Sequence, residues 1–371
     1  MQRVPARLGS PVSTIETPAL IVDLDAFERN LDLMANAVHG SGLALRPHAK
    51  SHKCPDIAKA QVARGAVGIC CQKVDEAAEF VAAGIADVLV TNEIVAPAKI
   101  ARLAALARAA TVGVLVDNVS VVCDLSAAAI QAGGTLHAYV EIDVGAHRCG
   151  VLPGPASVAV ASAIVQAPGL HFRGLNAYHG TAQHLRTPAE RRAAIANASE
   201  LAARAKSELE AAGIACPVIT GAGTGTWQLE RDSHVYTELQ PGSYIFMDAD
   251  YNRNALASDE HAFEQSLYVL SSVMSAPTRE RAIIDAGLKA LAFDSGLPLV
   301  NAEHGLEYVK GSDEHGVLQV DSAIAQPKLN DRVWLIPGHC DPTVNLYDWI
   351  VGVRGDRVEC VWPIAARGAV G

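Results

Sequence analysis

Between residue 20 and about residue 225, short apolar runs rich in β-branched residues alternate with alanine-rich segments of helical character. The strand candidates are 20-LIVDL-24, 43-LALRPH-48, 67-VGICCQ-72, 87-DVLVTN-92, 112-VGVLVD-117, 136-LHAYVEID-143, 172-FRGLNAYHG-180 and 217-PVITGAG-223. This alternation favours a parallel sheet, and eight strands in roughly 200–250 residues suit a (β/α)8 barrel. The sequence therefore predicts an α/β fold built on a TIM barrel. A doubly wound open sheet is the alternative, although no early G-x-G-x-x-G favours it.

The helix candidates between these strands carry their own boundary signals. They include 25-DAFERNLDLMANAVHG-40, 75-DEAAEFVAAG-84 and the long segment 186–213. We expect Asp25 and Thr187 to be N-caps, because short polar side chains satisfy the free N–H groups of a first helical turn. Glycines tolerate the left-handed conformation that ends many helices; those expected to do so are Gly40, Gly84 and Gly213.

The pattern changes after about residue 255. Strand candidates joined by turns follow, with few helices: 266-SLYVLSSVMS-275, 281-RAIIDAG-287, 316-GVLQVD-321, 332-RVWLIPGH-339 and 357-RVECVWP-363. We therefore predict two domains. Residues 16–255 form the barrel, and residues 256–371 form a smaller, mostly β domain that residues 1–15 join.

Charge and hydropathy exclude some classes of protein. The net charge is −10 and the sequence pI about 5.7, whereas a nucleic-acid binder shows a basic face. We see no run of about 18 apolar residues that predicts a membrane span, and no apolar signal segment at the N-terminus. The eight cysteines show no CxxC spacing. We therefore expect a cytoplasmic protein with reduced thiols that binds neither nucleic acid nor membrane.

The stretch 46-RPHAKSHK-53 places several cationic groups at the end of a predicted buried strand. In a barrel of this kind, function collects at the C-terminal strand ends. Burial and neighbouring cations lower the pKa of a lysine and make it a nucleophile, so Lys50 is a candidate Schiff-base residue. A salt-bridged or solvated lysine is the alternative.

A second strand ends in 221-GAGTGT-226, which offers backbone N–H groups with little steric bulk. Such a segment can bind phosphate, although a glycine-rich turn is often only a turn. A phosphate cradle and a strand-end lysine in one barrel mouth indicate pyridoxal 5′-phosphate, with the aldehyde on the lysine and the phosphate on the glycines.

The segment 337-PGHCDPTVNLYD-348 holds a third candidate. On an extended segment His339 and Asp341 point to the same face and Cys340 points away. One imidazole and one carboxylate suit Mn²⁺ or Mg²⁺ better than a thiolate-rich zinc site. The alternative is a capping aspartate before Pro342 and an unrelated histidine.

These three segments, in this order, resemble the D-threonine aldolase and D-serine dehydratase family, pyridoxal-phosphate enzymes of the alanine racemase fold type. The resemblance extends from 17-TPALIVDLDAFERNL-31 to 337-PGHCDPTVNLYD-348. It implies that Lys50 binds the cofactor covalently and that His184 lies close to the substrate hydroxyl. It also implies a set of cofactor-binding residues (Arg148, Tyr178, Gly223, Thr224, Gly225 and Tyr244) and two metal ligands (His339 and Asp341).

The resemblance further implies a head-to-tail homodimer and a small D-amino acid as substrate. Dehydratase relatives tend to carry cysteine at the position of Asp341, so this chain resembles the aldolases more. We therefore expect metal-dependent cleavage of D-β-hydroxy-α-amino acids to glycine and an aldehyde. The alternatives are a 3-hydroxy-D-aspartate aldolase, a D-serine or 3-hydroxyaspartate dehydratase, a racemase, and a pyridoxal-phosphate carrier without catalytic activity.

Overall fold

The computed structural model describes residues 4–301 and 305–371. Residues 1–3 of the predicted segment 1–15, and residues 302–304 of the predicted segment 256–371, lie outside the described residues. Two sheets organise the described chain, one with eight strands and one with nine.

The eight-stranded sheet is the predicted barrel, and all its strand pairs are parallel. Its strands are β2 (Ala44–Leu45), β3 (Ile69–Cys71), β4 (Asp87–Glu93), β5 (Thr111–Val116), β6 (Leu136–Glu141), β7 (Leu170–Ala177), β8 (Val218–Gly221) and β9 (Glu238–Leu239). They follow the order β2-β9-β8-β7-β6-β5-β4-β3. The chain just after β2 returns to β3 through a parallel bridge between His48 and Cys70, so the sheet curls into a ring.

Helices connect the strands and cover the ring. They are α1 (Leu24–Val38), α2 (Pro55–Ala63), α3 (Val74–Ala82), α4 (Pro97–Leu106), α5 (Val119–Ala132), α6 (Pro155–Gln166), α7 (Pro188–Ala211) and α8 (Trp227–Asp232), and a ninth, α9 (Cys340–Val344), lies in the second domain. None of the helices in the described ranges is both long and apolar enough to cross a membrane.

The predicted helix caps are correct with one exception. Thr187 caps α7 and forms a capping box with Glu190, and the three predicted stop glycines all have positive φ. The prediction of Asp25 as an N-cap is wrong. Asp23 caps α1 instead, because its carboxylate accepts the N–H groups of Asp25 and Ala26.

The nine-stranded sheet forms the second, mostly β domain. Its strands are β1 (Ala19–Asp23), β10 (Leu267–Thr278), β11 (Arg281–Ile284), β12 (Leu299–Val300), β13 (Leu306–Gly311), β14 (Gly316–Val320), β15 (Arg332–Ile336), β16 (Trp349–Arg354) and β17 (Arg357–Pro363). The β10 strand pairs with β1, β11 and β15 and is antiparallel to all three. The N-terminal segment joins this sheet through a bridge between Pro11 and Arg357.

The assignment of residues 20–24 to the barrel is wrong. Strand β1 lies between β10 and β16 in the nine-stranded sheet, and the two-residue strand β9 takes the remaining place in the barrel. The prediction failed because β1 is buried and is followed by a helix, as a barrel strand would be. Its local pattern therefore does not reveal which sheet it joins.

Candidate active site

A cavity of about 340 Å³ opens at the C-terminal ends of the barrel strands. Residues at the ends of seven strands contribute to its wall, and most of them have polar side chains. They include His48, Lys50, Gln72, Thr91, Arg148, Asn176, Tyr178, His184, Gly223, Thr224, Gln240, Gly242, Ser243 and Tyr251. Five predicted residues of the barrel thus meet Lys50 in one cavity: Arg148, Tyr178, His184, Gly223 and Thr224.

Lys50 lies on a short 3₁₀ turn just after β2. The backbone N–H of Lys50 donates to Nδ1 of His48, the residue before the turn, at 3.3 Å. Its Nζ donates to Oδ2 of Asp341 at the start of α9. The cavity lysine of the barrel and the predicted metal carboxylate of the β domain are therefore in direct contact.

This contact reverses the predicted direction of the lysine pKa. Burial disfavours the ammonium form, but the charge of Asp341 outweighs it and raises the pKa of Lys50. Burial likewise disfavours the ionised form of Asp341, yet the charges of Lys50 and His339 lower its pKa below the usual range. The expectation that neighbouring cations lower the pKa of Lys50 is therefore wrong.

The other cationic residues of 46-RPHAKSHK-53 have separate partners. Arg46 is buried inside the barrel, where it donates to Glu238 at 3.0 Å and Asp87 at 2.7 Å. Burial lowers the pKa of His48 well below its ordinary value and that of His52 to about 3, so both rings are neutral near pH 7. The segment 46–53 therefore contributes buried polar side chains to the barrel core as well as Lys50 to the cavity.

A buried carboxyl group lies beneath the cavity floor. Oε2 of Glu141 accepts from Nδ2 of the cavity residue Asn176 at 2.5 Å. Burial, together with the nearby charge of Glu93, raises the pKa of Glu141 to about 8. A raised pKa means that the fold favours the protonated form, so this group costs stability as the pH rises from about 4.5 to about 8.

Glu141→Gln is therefore expected to stabilise the protein at alkaline pH. Glutamine keeps an oxygen for Asn176 and carries no charge. Relative to wild type, the variant should gain roughly 3 kcal/mol of unfolding free energy between pH 5.5 and pH 8.5. Thermal unfolding at the two pH values measures the difference. If the difference in unfolding free energy between variant and wild type is the same at both pH values, the raised pKa of Glu141 is contradicted.

The glycine-rich turn after β8 packs tightly against the loop that follows β7. A Cβ atom at Gly223 would lie 2.5 Å from the end of the Gln183 side chain, so a larger residue there would force the Gln183 amide to move. Gln183 accepts the N–H of Gly225 at 2.9 Å, and Gly225 lines a smaller cavity of about 120 Å³ behind the turn. The N–H of Gly225 is thus already committed, contrary to its predicted role in phosphate binding.

Thr224 keeps an unused polar atom beside the cavity. Its Oγ1 is buried and has no hydrogen-bond partner, although buried hydroxyls normally have one. The cavity wall also contains Gly242, which packs against the backbone oxygen of His48, and Ser243. The wall therefore offers small residues and an unsatisfied hydroxyl, which suit a phosphate group.

The side chain of Tyr244 points elsewhere. Its hydroxyl oxygen accepts from Gln61 at 3.2 Å, its ring contacts Phe263, and the residue is buried. The predicted role of this side chain in binding phosphate is therefore not supported by its position. The neighbouring Ser243 reaches the cavity instead, because the two side chains diverge within a 3₁₀ turn.

Two further predicted residues lie together at the cavity mouth. The guanidinium of Arg148 lies 5.8 Å from the ring centroid of Tyr178, at a distance typical of a cation–π contact. Arg148 is exposed and lines the cavity. A substrate carboxylate that enters the cavity would meet this cation.

His184 also faces the cavity, and its ring is held from behind. It ends a 3₁₀ turn after β7. Its Nδ1 lies 2.5 Å from Oδ2 of Asp250, while about half of the side chain is exposed. The second nitrogen, Nε2, is therefore the atom available to a bound molecule.

His339 and Asp341 do not lie on the one extended segment that the sequence predicted. His339 has an extended backbone, but Asp341 lies in the first turn of α9, so the expectation of a continuous extended segment is wrong. Nδ1 of His339 lies 2.7 Å from Oδ2 of Asp294. A carboxylate on one ring nitrogen commonly orients a metal-binding histidine toward the metal with the other.

Sequence reasoning missed three residues that support the site: Ser243, Asp250 and Asp294. Ser243 was within reach, since it is the sequence neighbour of the predicted residue Tyr244. No sequence pattern pointed to the two aspartates. Asp250 contacts a histidine 66 positions away in the chain, and Asp294 contacts one 45 positions away. No group of three or more possible metal-binding residues of the types His, Cys, Asp and Glu was found in the described ranges.

Comparisons with known proteins agree with this architecture. Residues 22–250 match the alanine racemase N-terminal domain family. Residues 266–353 match the family described as “Putative serine dehydratase domain”. The two matches together cover most of the chain.

Individual proteins match over nearly the full length. A D-threonine aldolase from Arthrobacter sp is 48% identical over 364 residues, 98% of this chain and 96% of that protein. A 3-hydroxy-D-aspartate aldolase from Paracoccus denitrificans (strain Pd 1222) is 48% identical over 371 residues, 98% of this chain and 95% of that protein. The crystal structure of D-threonine aldolase from Filomicrobium marinum has a TM-score of 0.97 and 48% identity, and the match covers 99% of this chain and 100% of that one. The chain thus belongs to the D-threonine aldolase and D-serine dehydratase family, enzymes of the alanine racemase fold type.

Proposed function

We propose that the protein is a pyridoxal-phosphate-dependent D-threonine aldolase, a carbon–carbon lyase that cleaves D-β-hydroxy-α-amino acids to glycine and an aldehyde. The observation that carries this proposal is the 48% identity to a D-threonine aldolase across nearly the whole chain. The contact between Lys50 and Asp341 supports it, because it joins the carboxylate of the expected metal segment to the lysine of the cavity.

The cavity residues fit pyridoxal phosphate. Lys50 supplies the amine that would bind the aldehyde. The unpartnered Thr224 hydroxyl, the small residues Gly223 and Gly242, and Ser243 would hold the phosphate. When bound, this cofactor withdraws electrons from the α-carbon of an amino acid.

The donor atoms of His339 and Asp341 fit a divalent cation such as Mn²⁺ or Mg²⁺. Asp341 is ionised, since its pKa is lowered, and His339 offers Nε2 once Nδ1 is bound to Asp294. A cation held there would act as a Lewis acid toward the substrate hydroxyl. Oxygen and nitrogen donors are those that these metals prefer.

The chain's own residues account for the proton transfers. His184 Nε2 would take the proton of the β-hydroxyl, whose oxygen becomes the carbonyl oxygen of the aldehyde as the Cα–Cβ bond breaks. The α-carbon must then gain a proton to give glycine. Removal of the α-proton by Lys50 would instead lead to loss of the hydroxyl group. Which proton leaves first therefore distinguishes cleavage from dehydration.

Two other candidate functions are supported by specific observations. The 3-hydroxy-D-aspartate aldolase relative is also 48% identical, and the exposed cation Arg148 could attract a second substrate carboxylate. The match of residues 266–353 to the serine dehydratase domain favours dehydration as the other candidate. The carboxylate of Asp341, in place of the cysteine common in dehydratases, favours cleavage.

Product analysis tests the proposal. We expect the purified enzyme, supplied with pyridoxal phosphate and Mn²⁺, to form glycine and acetaldehyde from D-threonine. D-threo- and D-erythro-3-hydroxyaspartate and D-serine are the comparison substrates. Glyoxylate formation that exceeds acetaldehyde formation would favour the 3-hydroxy-D-aspartate aldolase. Ammonia without glycine would identify a dehydratase and contradict the aldolase proposal.

The expected homodimer and cytoplasmic location are also proposals. All eight cysteines are free thiols, the state that a reducing compartment maintains. Light scattering of the purified enzyme tests the dimer, and a mass equal to a single chain would exclude it. Cell fractionation tests the location, and activity outside the cytoplasmic fraction would contradict it.

A further inference from the structure

The contact between His184 and Asp250 goes beyond what the proposed reaction requires. We propose that Asp250 is a positioning residue that keeps a proton on Nδ1 of His184 and directs the lone pair of Nε2 into the cavity. This inference rests on the proposed function, in which His184 takes the hydroxyl proton. Asp250 itself lies behind the ring and need not touch the substrate.

Asp250 is firmly held from the other side. Its side chain is only 7% exposed. Oδ2 is the oxygen that faces His184, whereas Oδ1 accepts from Arg186 and lies 3.6 Å from Nη1 of Arg253. The backbone oxygen of Asp250 accepts a further bond from Arg186 at 2.7 Å. The two carboxylate oxygens thus have separate partners, and the one that faces the histidine has no freedom to turn away.

The charge of Asp250 determines the direction of its bond to the histidine. Burial favours the neutral acid, but hydrogen bonds from Arg186 and His184 outweigh it and lower the pKa of Asp250. An ionised carboxylate can only accept hydrogen bonds. Nδ1 of His184 must therefore carry the proton that lies between the two groups.

This proton placement prepares the ring for base catalysis. A neutral imidazole protonated on Nδ1 has an unprotonated Nε2. A general base needs such a nitrogen within reach of the proton that it removes. The Tyr251 ring lies against the imidazole, with the two centroids 5.9 Å apart and the planes inclined by 35°. The ring is thereby oriented by a hydrogen bond at one end and by packing on one face.

A purely structural role for Asp250 is less consistent with the contacts. Asp250 precedes a short 3₁₀ turn, yet its side chain makes no capping hydrogen bond there. Arg186 also donates to Asn254 at 2.7 Å, so this arginine remains tied to the loop without the Asp250 carboxylate. Removing the charge of Asp250 should therefore affect His184 more than the fold.

The test is Asp250→Asn in the holoenzyme. A guanidinium only donates hydrogen bonds, so the amide oxygen of the asparagine should face Arg186 and its NH₂ group should face Nδ1. The NH₂ group donates, which forces the histidine proton onto Nε2. We expect kcat to fall roughly 10²- to 10⁴-fold, with a much smaller change in KM. NMR of ¹⁵N-labelled histidine should show that the protonated nitrogen of His184 changes from Nδ1 to Nε2.

The signal of His184 is assigned by its loss in His184→Gln. Asp248→Asn is the matched control, because Asp248 is a buried aspartate two residues away that accepts from the backbone of Tyr251 and Cys340. We expect this control to lower stability without moving the His184 proton. An unchanged His184 tautomer in Asp250→Asn, or an unchanged kcat despite a reversed tautomer, would overturn the inference. If wild-type His184 is protonated on Nδ1 but no hydroxy amino acid is cleaved, only the proposed function fails.

Discussion

Lys50→Ala is expected to abolish covalent cofactor binding and to lower kcat/KM by at least about 10³-fold. Lys50 offers an amine inside the cavity at the end of a barrel strand, and alanine leaves no nucleophile for the aldehyde. The absorbance of the covalently bound cofactor should disappear, which a spectrum of the purified variant would record. Borohydride reduction of the wild-type enzyme, followed by peptide mapping, should label Lys50 and leave Lys53 unlabelled.

The matched control is Lys59→Ala, since Lys59 is an exposed lysine on α2. It should retain both the absorbance and the activity of the wild type. Cofactor absorbance that persists in Lys50→Ala, or a borohydride label on another lysine, would remove Lys50 from its proposed role. Circular dichroism would show whether Lys50→Ala is folded. If it is not, Lys50→Arg distinguishes loss of the fold from loss of the amine. That variant keeps a positive charge next to Asp341 but has no amine.

Metal removal is expected to have the second largest effect. A chelator should lower activity roughly 10²- to 10³-fold, because a Lewis acid at the substrate hydroxyl contributes several kcal/mol. Added Mn²⁺ or Mg²⁺ should restore the wild type but not Asp341→Ala, which lacks the carboxylate at the start of α9. Activity assays with each metal, together with equilibrium dialysis of the metal, provide the measurement.

Asp356→Asn is the matched control for the metal experiment. Asp356 is an exposed aspartate in the turn between β16 and β17, and its substitution should leave both metal binding and activity unchanged. Full activity after complete chelation would show that the His339 and Asp341 proposal is wrong. So would an Asp341→Ala variant that binds and responds to metal like the wild type.

The chemistry of individual residues was more predictable than their pairing. Lys50, His184 and Thr224 line one cavity because each follows a barrel strand, and the C-terminal ends of parallel strands meet at one rim. The Tyr244 side chain was misplaced because neighbouring residues of a 3₁₀ turn point in different directions, so Ser243 reached the cavity. The partner of the Gly225 N–H was not predictable either, because Gln183 lies on a different loop.

Strand β1 shows the same limit at the level of the fold. A buried strand followed by a helix has the same local pattern in the barrel as in the second sheet. Only its pairing with β10 and β16, which are distant in sequence, assigns it to the second sheet. The strand that completes the barrel, β9, has two residues, too few for any alternation to be visible.

By itself, the sequence determined the barrel, the β domain that follows it, and the segments that carry the lysine, the glycines and the metal motif. These features depend on local periodicity and residue type, which neighbouring residues along the chain express directly. The tertiary structure alone decided that Lys50 meets Asp341, that Asp250 holds His184, and that the pKa of Lys50 is raised and not lowered. Charges act through space, so the properties of the cavity lysine depend on a carboxylate 291 residues away in the chain.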